Sequence, residues 1–237
     1  TTSAFGVQRL DIAGAALTPI ERIRAAAGIE LGTNLVGLAT EPIAERVRVI
    51  TSVRDVSVSV FLPDTLRLTV AERRPIVVWQ VGADRYAVDE GGLLFATLGP
   101  DERDIVDGVP TVVDERAATS SLGVRSVLDP VILDAATRIG SLTPSQIGSH
   151  APALSVHITD TNGFTVSSGD DGWLAIFGAY GQSQRTPAMI PGQVQALTAV
   201  LAKGEDRMER IILADDRAGT YTLKPTPKPS AKPSTAP

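Results

Sequence analysis

The chain has 237 residues, a formal net charge of −5 at pH 7 and no cysteine. This length provides for two modest domains with real cores, and 43% hydrophobic with 21% charged residues is ordinary for a globular protein. The acidic balance argues against a nucleic-acid-binding protein, which normally carries a basic face. The composition also excludes disulfides, thiolate nucleophiles and cysteine-based metal sites.

Membrane-spanning character is absent from the sequence pattern. No window approaches the roughly 18 consecutive apolar residues that a spanning helix requires. The longest dense apolar run, 173–180, has the length of a strand. The chain begins at Thr1 without a Met or a leader, so we expect it to be a processed or truncated piece of a longer protein.

Residues 1–75 predict a small α+β domain with the element order β-α-α-β-β. An imperfectly alternating segment over 5–12 predicts the first strand. Thr18 and Glu21 predict a capping box at the start of a helix, and Thr40 predicts the start of a second one. The buried stripes expected for the two helices are Ile20, Ile23 and Ala27, and Ile43, Val47 and Ile50.

A β-hairpin is predicted over 53–75, the segment around which this domain is organised. Valines alternate with serines in its first arm, and leucines alternate with polar residues in its second. Pro63 lies in the connecting turn, where no ladder donor is required. The hairpin ends in the motif Glu72-Arg73-Arg74-Pro75.

Residues 76–223 predict a second domain, a mostly antiparallel sheet that grows by successive hairpins and has flanking helices. Asn162-Gly163 between two alternating segments is a strong signal for one of these hairpins. Asp89 beside Glu90 could suggest a carboxylate pair or a metal site, but an Asp before Glu-Gly-Gly is more typical of a tight turn. The acidic segment Asp101 to Asp104 is expected to be a solvated loop.

The last fourteen residues, 224–237, are rich in proline and lysine. Such a composition cannot form a core, so we expect a disordered tail. A spacer within an anionic cell wall and a passive extension are both compatible with it.

In their order along the chain, these motifs resemble the FtsQ/DivIB family of bacterial cell-division proteins. The matching motifs are the connector Leu31-Gly32-Thr33-Asn34-Leu35, the hairpin with Pro63, Glu72-Arg73-x-Pro75, the Val-Asp-x-x-Gly turn at 88–92 and the closing Asp-x-Arg at 215–217. The resemblance implies a polypeptide-transport-associated (POTRA) domain at 1–75 and a β-domain at 76–223. Two departures lie near the C-terminal end, where Pro191-Gly192 replaces the family's usual Lys and Ala218 replaces the aromatic after the Arg.

The resemblance also implies a function. It implies a non-enzymatic scaffold without a cofactor, the extracytoplasmic part of a single-pass membrane protein that is concentrated at the division septum. The implied partners are FtsB/DivIC-type and FtsL-type division proteins, with other division proteins at the POTRA domain and no nucleic acid. Sheet edges bind such partners by strand addition. The expected partner-binding residues on the last edge are Ile211, Leu213, Arg217, Thr220, Tyr221 and Leu223.

Two other functions remain open at this point. A POTRA-bearing module for polypeptide transport or outer-membrane assembly would show repeated POTRA units and a downstream barrel, and neither pattern is present in this sequence. A cell-wall hydrolase would need two catalytic carboxylates at a defined distance from each other. That distance is a property of the structure, so the sequence alone does not identify such a pair. No catalytic motif surrounds His150 or His157.

Overall fold

The computed structural model describes residues 5–99, 106–181 and 185–225. The chain divides into two compact units, Thr1–Gly140 and Ser141–Pro237. The predicted acidic loop at Asp101 to Asp104 and residues 226–237 of the tail predicted at 224–237 lie outside the described residues.

The first part of unit 1 has the predicted order β-α-α-β-β. Its elements are β1 (Arg9–Ala13), α1 (Ile20–Ala27), α2 (Glu41–Arg48), β2 (Val53–Phe61) and β3 (Thr65–Glu72). The hairpin pairs β2 antiparallel with β3, and β1 runs parallel to β3, which gives the sheet order β1-β3-β2. The predicted POTRA fold is confirmed.

Both helices pack on this sheet through short apolar stripes. Ile23, Ala27, Ile43 and Val47 are buried, as predicted, against the inward-facing residues of β3. Ile20 does not belong to the stripe, because it is 47% exposed and only the later turns of α1 face the sheet. The alternation of apolar and polar residues therefore predicts the positions of the strands correctly. The prediction that the first turn of α1 belongs to the core is wrong.

The capping box predicted at the start of α1 does not form, and the side chain of Glu72 binds the loop that precedes the helix. Glu72 accepts backbone N–H groups from Ala16 (2.7 Å), Leu17 (2.8 Å) and Thr18 (2.7 Å). The Thr18 hydroxyl instead bonds to Ser52 Oγ at 2.6 Å. Burial alone would raise the pKa of Glu72, but these donors outweigh it and lower that pKa. The motif's glutamate thus holds the β1–α1 loop.

Arg73, the next residue of the motif, connects the POTRA sheet to the following hairpin. Its Nε donates to the Thr51 carbonyl (2.9 Å) and its Nη1 to Asp89 Oδ2 (2.7 Å). The other oxygen of Asp89 accepts the N–H groups of Gly91 and Leu93, each at 3.0 Å. Asp89 therefore shapes the tight turn that the sequence predicts.

In the rest of unit 1, the residues that the structure describes form four strands and an α-helix. They are β4 (Val77–Val81), β5 (Asp84–Val88), β6 (Leu94–Thr97), β7 (Thr111–Asp114) and α3 (Pro130–Gly140). Their order is β7-β4-β5-β6, with β4 and β7 parallel and the other two pairs antiparallel. Trp79 is fully buried, and its Nε1 donates to Asp114 Oδ2 at 3.2 Å.

The described residues of unit 2 form five strands of a mixed sheet and one long helix. It contains β8 (Ser155–Thr159), β9 (Gly163–Ser167), β10 (Leu174–Gly178), α4 (Ile190–Leu201), β11 (Met208–Ile212) and β12 (Thr220–Leu223), in the order β12-β11-β10-β9-β8. The hairpin predicted at Asn162-Gly163 joins β8 to β9. Between β10 and β11 the pairing is parallel, because α4 returns the chain to the same end of the sheet.

Candidate partner-binding edge

β12 forms one edge of the unit 2 sheet. It pairs with β11 on one side, and no described residue pairs with its other side. The edge at β6 in unit 1 differs, because the Leu94 N–H donates to the Ser126 carbonyl and the Leu94 carbonyl accepts from Arg125. Unpaired backbone groups on a strand edge can template the addition of another strand.

The register of β12 identifies its outward-facing groups. The N–H of Lys224 donates to the Arg207 carbonyl at 2.9 Å, so the backbone of Lys224 faces inward, toward the β11 side. Because this direction alternates along a strand, the N–H and C=O groups of Tyr221 and Leu223 face outward. We call these four groups the open rim.

The side chains beside the open rim are apolar and accessible. Tyr221 is 40% exposed and Leu223 is 42% exposed, on a strand whose four residues are all exposed. The Nζ of Lys203 lies 5.2 Å from the centroid of the Tyr221 ring, within the range of a cation–π contact. An incoming strand would therefore meet both hydrogen-bonding groups and apolar surface.

The residues that the sequence placed on this edge divide into two groups. Thr220, Tyr221 and Leu223 lie on β12, and Arg217 lies in the preceding turn with an exposed side chain. Ile211 and Leu213 are fully buried, because β11 lies between β10 and β12 and that face is covered by α4. These two predicted residues therefore support the edge from the core and are not accessible to a partner.

A buried glutamine fastens α4 to the strands below it. The Nε2 of Gln193 donates to the carbonyl of Phe177 (3.0 Å), within β10, and to that of Leu213 (2.8 Å), just beyond β11. Its Oε1 accepts the hydroxyl of Tyr180 at 2.6 Å. Burial raises the pKa of Tyr180, so the phenol remains protonated and able to donate.

The turn that leads into β12 lies directly against the start of α4. A Cβ built on Gly192 would come within 2.3 Å of the Asp216 carbonyl oxygen, so a side chain at this position would displace the turn. Asp215 accepts the N–H groups of Ala218 (3.0 Å) and Arg217 (2.9 Å), and these bonds lower its pKa. Of the two residues Pro191 and Gly192, which depart from the family pattern, Gly192 thus has a steric explanation.

Glu205 secures the start of β11. Its carboxylate accepts the indole N–H of Trp173 (2.7 Å), the backbone N–H of His150 (2.9 Å) and the hydroxyl of Ser149, and it also contacts His150 Nδ1 at 3.0 Å. Burial opposes ionisation, but these hydrogen bonds prevail and lower the pKa of Glu205 to about 2. The strand that supports β12 is therefore anchored by an ionised carboxylate.

Sequence reasoning missed two residues that support the edge, Gln193 and Glu205, and identified Gly192 only as a departure from the family pattern. Gln193 had a detectable signal, because it is a polar residue on the apolar stripe that Leu197 and Leu201 continue. The contacts of Glu205 span 32 to 56 residues, so no local pattern could have revealed them.

The part of the chain that the structure describes contains no candidate metal-binding site. No group of three or more His, Cys, Asp or Glu side chains there is arranged to hold an ion. The helices of the described ranges likewise include none that is both long and apolar enough to cross a membrane.

Comparison with known proteins agrees with this architecture. Residues 5–73 match the family model described as "POTRA domain, FtsQ-type". The first domain is therefore a POTRA domain of the FtsQ type.

Curated relatives extend the similarity beyond that domain. The chain is 26% identical over 166 residues to "Cell division protein FtsQ" of Streptomyces coelicolor, which covers 69% of this chain and 61% of that protein. It is 29% identical over 149 residues to the protein of the same name from Mycolicibacterium smegmatis, covering 62% and 44%. The Streptomyces venezuelae protein is 29% identical over 209 residues, covering 84% and 75%. The predicted resemblance to the FtsQ/DivIB family is confirmed, and the chain spans less than two thirds of the first two relatives.

Proposed function

We propose that this chain is a scaffold of the bacterial cell-division machinery that docks other division proteins on the open rim of β12. The single observation that carries the proposal is an edge strand with outward backbone groups beside two exposed apolar side chains. Similarity to relatives named as cell division proteins supports the cellular role. The FtsQ type of the POTRA match favours this role over the transport alternative.

The proposed mechanism is strand addition without bond cleavage. A partner strand gains main-chain hydrogen bonds from the open rim, and its side chains pack against Tyr221 and Leu223. Arg217, in the preceding turn, is exposed and is positioned to contact an acidic side chain of the partner. The partners we propose are FtsB/DivIC-type and FtsL-type proteins, met outside the cytoplasmic membrane at the septum by a single-pass protein of which this chain is the extracytoplasmic part.

A first experiment titrates a purified extracytoplasmic fragment of an FtsB/DivIC-type protein by calorimetry. The full chain is compared with a chain that lacks 219–223. We expect the deletion to abolish binding, because it removes both the open rim and its apolar side chains. Undiminished binding would remove this edge from consideration.

A second experiment separates backbone from side chain at one position. Leu223→Pro removes an outward N–H without removing any donor to β11, and Leu223→Ala removes only the side chain. We expect the proline variant to bind about tenfold more weakly than the alanine variant, because a hydrogen-bond donor is lost and the ring obstructs the rim. Equal affinities of the two variants would contradict strand addition.

A further inference from the structure

The motif Glu72-Arg73-x-Pro75 lies where the POTRA sheet ends and the chain continues into β4, so its contacts join two parts of unit 1. Glu72 binds the backbone N–H groups of residues 16–18. The loop that is fixed in this way carries Leu17, whose side chain packs against the buried cluster around Phe95. The first residue of the motif thus holds an apolar side chain of the POTRA domain against the core of the following sheet.

Arg73 crosses the same boundary with a charged group. Its guanidinium donates to the Thr51 carbonyl, in the turn before β2, and to Asp89, in the turn after β5. The side chain of Asp89 is 10% exposed and that of Arg73 is 30% exposed, so solvent screens this ion pair only in part. One guanidinium group therefore holds a turn of the POTRA domain and a turn of the following sheet together.

A second arginine reaches the same turn from the loop beside β6. The Nε of Arg125 donates to Thr51 Oγ1 at 3.3 Å, and its backbone N–H donates to the Leu94 carbonyl at 2.8 Å. The φ angle of Arg125 is +79°, and no other described residue except glycine has a positive φ. This region of φ is unfavourable for a residue with a Cβ and persists where surrounding contacts enforce it. The structure thus contains an unfavourable backbone conformation at the position that places this guanidinium on Thr51.

We propose that Thr51, Arg73, Asp89 and Arg125, which we call the clasp, lock the POTRA domain and the strands β4 to β7 into one rigid body. Leu17 contributes apolar contact, and the clasp contributes orientation, because hydrogen bonds weaken steeply when their angles change. A partner that binds the POTRA domain would then also fix the orientation of β4 to β7. The clasp contains no residue of the open rim, so this inference goes beyond the proposed docking function.

The test measures a distance between two spin labels on either side of the clasp. The chain contains no cysteine, so two introduced cysteines carry the only labels. Ser59→Cys lies near the tip of the β2–β3 hairpin and Ala83→Cys lies in the turn between β4 and β5, and both sites are exposed. Both hairpins run away from the clasp, so a rotation between the two parts changes this distance. Pulsed electron–electron double resonance should give a single narrow distance distribution for the labelled parent.

Two substitutions open the clasp with little other change. Asp89→Asn removes the anionic partner of Arg73 but keeps an oxygen for the N–H groups of its own turn. Arg125→Gly removes the second contact and also relieves the backbone strain. Each should raise the ratio of open to closed molecules about tenfold, and the double variant about a hundredfold, because the two contacts are separate. Arg22→Gln, an exposed arginine on α1 outside the clasp, is the control and should leave the distribution unchanged.

The expected result is a second, broader distance population in the double variant, while circular dichroism shows that the chain is folded. Asp89→Asn with Thr51→Val is a second double variant, which leaves the backbone at 125 untouched and should give the same population. Deletion of 219–223 should not alter the distance, which separates this test from failure of the docking edge. The proposal is overturned if both folded double variants keep the narrow distribution of the parent, or if the parent itself shows a broad one.

Discussion

Replacement of Glu205 by alanine should destabilise the protein to an extent that the structure allows us to calculate. The side chain is only 12% exposed, so solvent screens it little. Its pKa falls from 4.5 to about 2 on folding, and each pKa unit corresponds to about 1.4 kcal/mol. The ionised carboxylate therefore contributes about 3 kcal/mol near neutral pH, which for a chain of this size corresponds to a fall in Tm of about 6–12 °C.

The pH dependence provides the sharper test of this reasoning. Because the folded-state pKa lies below the unfolded value, the contribution is fully present above pH 4.5 and is lost as the pH falls toward 2. The assay is thermal unfolding of the parent, Glu205→Ala and Asp206→Ala at neutral pH and at several pH values between 4.5 and 2. Asp206 is the neighbouring exposed acid, and its replacement should change Tm by less than about 2 °C.

Two results would refute the argument. One is a Tm for Glu205→Ala at neutral pH that equals that of the Asp206 control, which would mean that the hydrogen bonds from Trp173, Ser149 and His150 do not stabilise the fold. The other is a deficit that keeps its full size down to pH 2, since a protonated Glu205 no longer offers an anionic acceptor.

Three further predictions concern residues that shape the two units. Glu72→Gln should lower the free energy of unfolding by about 1–3 kcal/mol in urea denaturation, and the deficit should shrink as acid protonates Glu72 in the parent. Gly192→Val should force the Asp216 turn away from α4, which hydrogen–deuterium exchange would detect as faster exchange over 215–223; unchanged exchange would contradict the steric argument. Gln193→Leu should cost about 2–4 kcal/mol, because the hydroxyl of Tyr180 and two strand carbonyls lose their partner, and a variant as stable as the parent would show that water replaces the amide.

The alternation of side chains predicts strands well because it records which face of a sheet is buried. The hairpin over 53–75 and the turn at Asn162-Gly163 follow from such local patterns, and both form as predicted. The parallel pairing of β10 with β11 was not predicted, although a strand, a long helix and a strand in sequence are typical of a parallel crossover.

Whether a side chain on the candidate edge is buried depends on the neighbouring strands, which the local sequence does not reveal. Ile211 and Tyr221 are opposite each other in the register, yet Ile211 is fully buried and Tyr221 is 40% exposed. The difference arises because β11 has a strand on both sides whereas β12 has one on a single side. An alternating pattern is the same in both cases, so only the sheet order distinguishes the accessible residues from the buried ones.

The two tryptophans of the chain give each unit its own optical probe. Trp79 lies in unit 1 against Asp114, Trp173 lies in unit 2 against Glu205, and both indole N–H groups donate to a carboxylate. Variants with a single tryptophan, made by Trp→Phe replacement at the other position, would report the melting of one unit at a time by intrinsic emission. Emission spectra could then reveal whether the POTRA-containing unit and the unit that carries β12 lose their structure together or in succession.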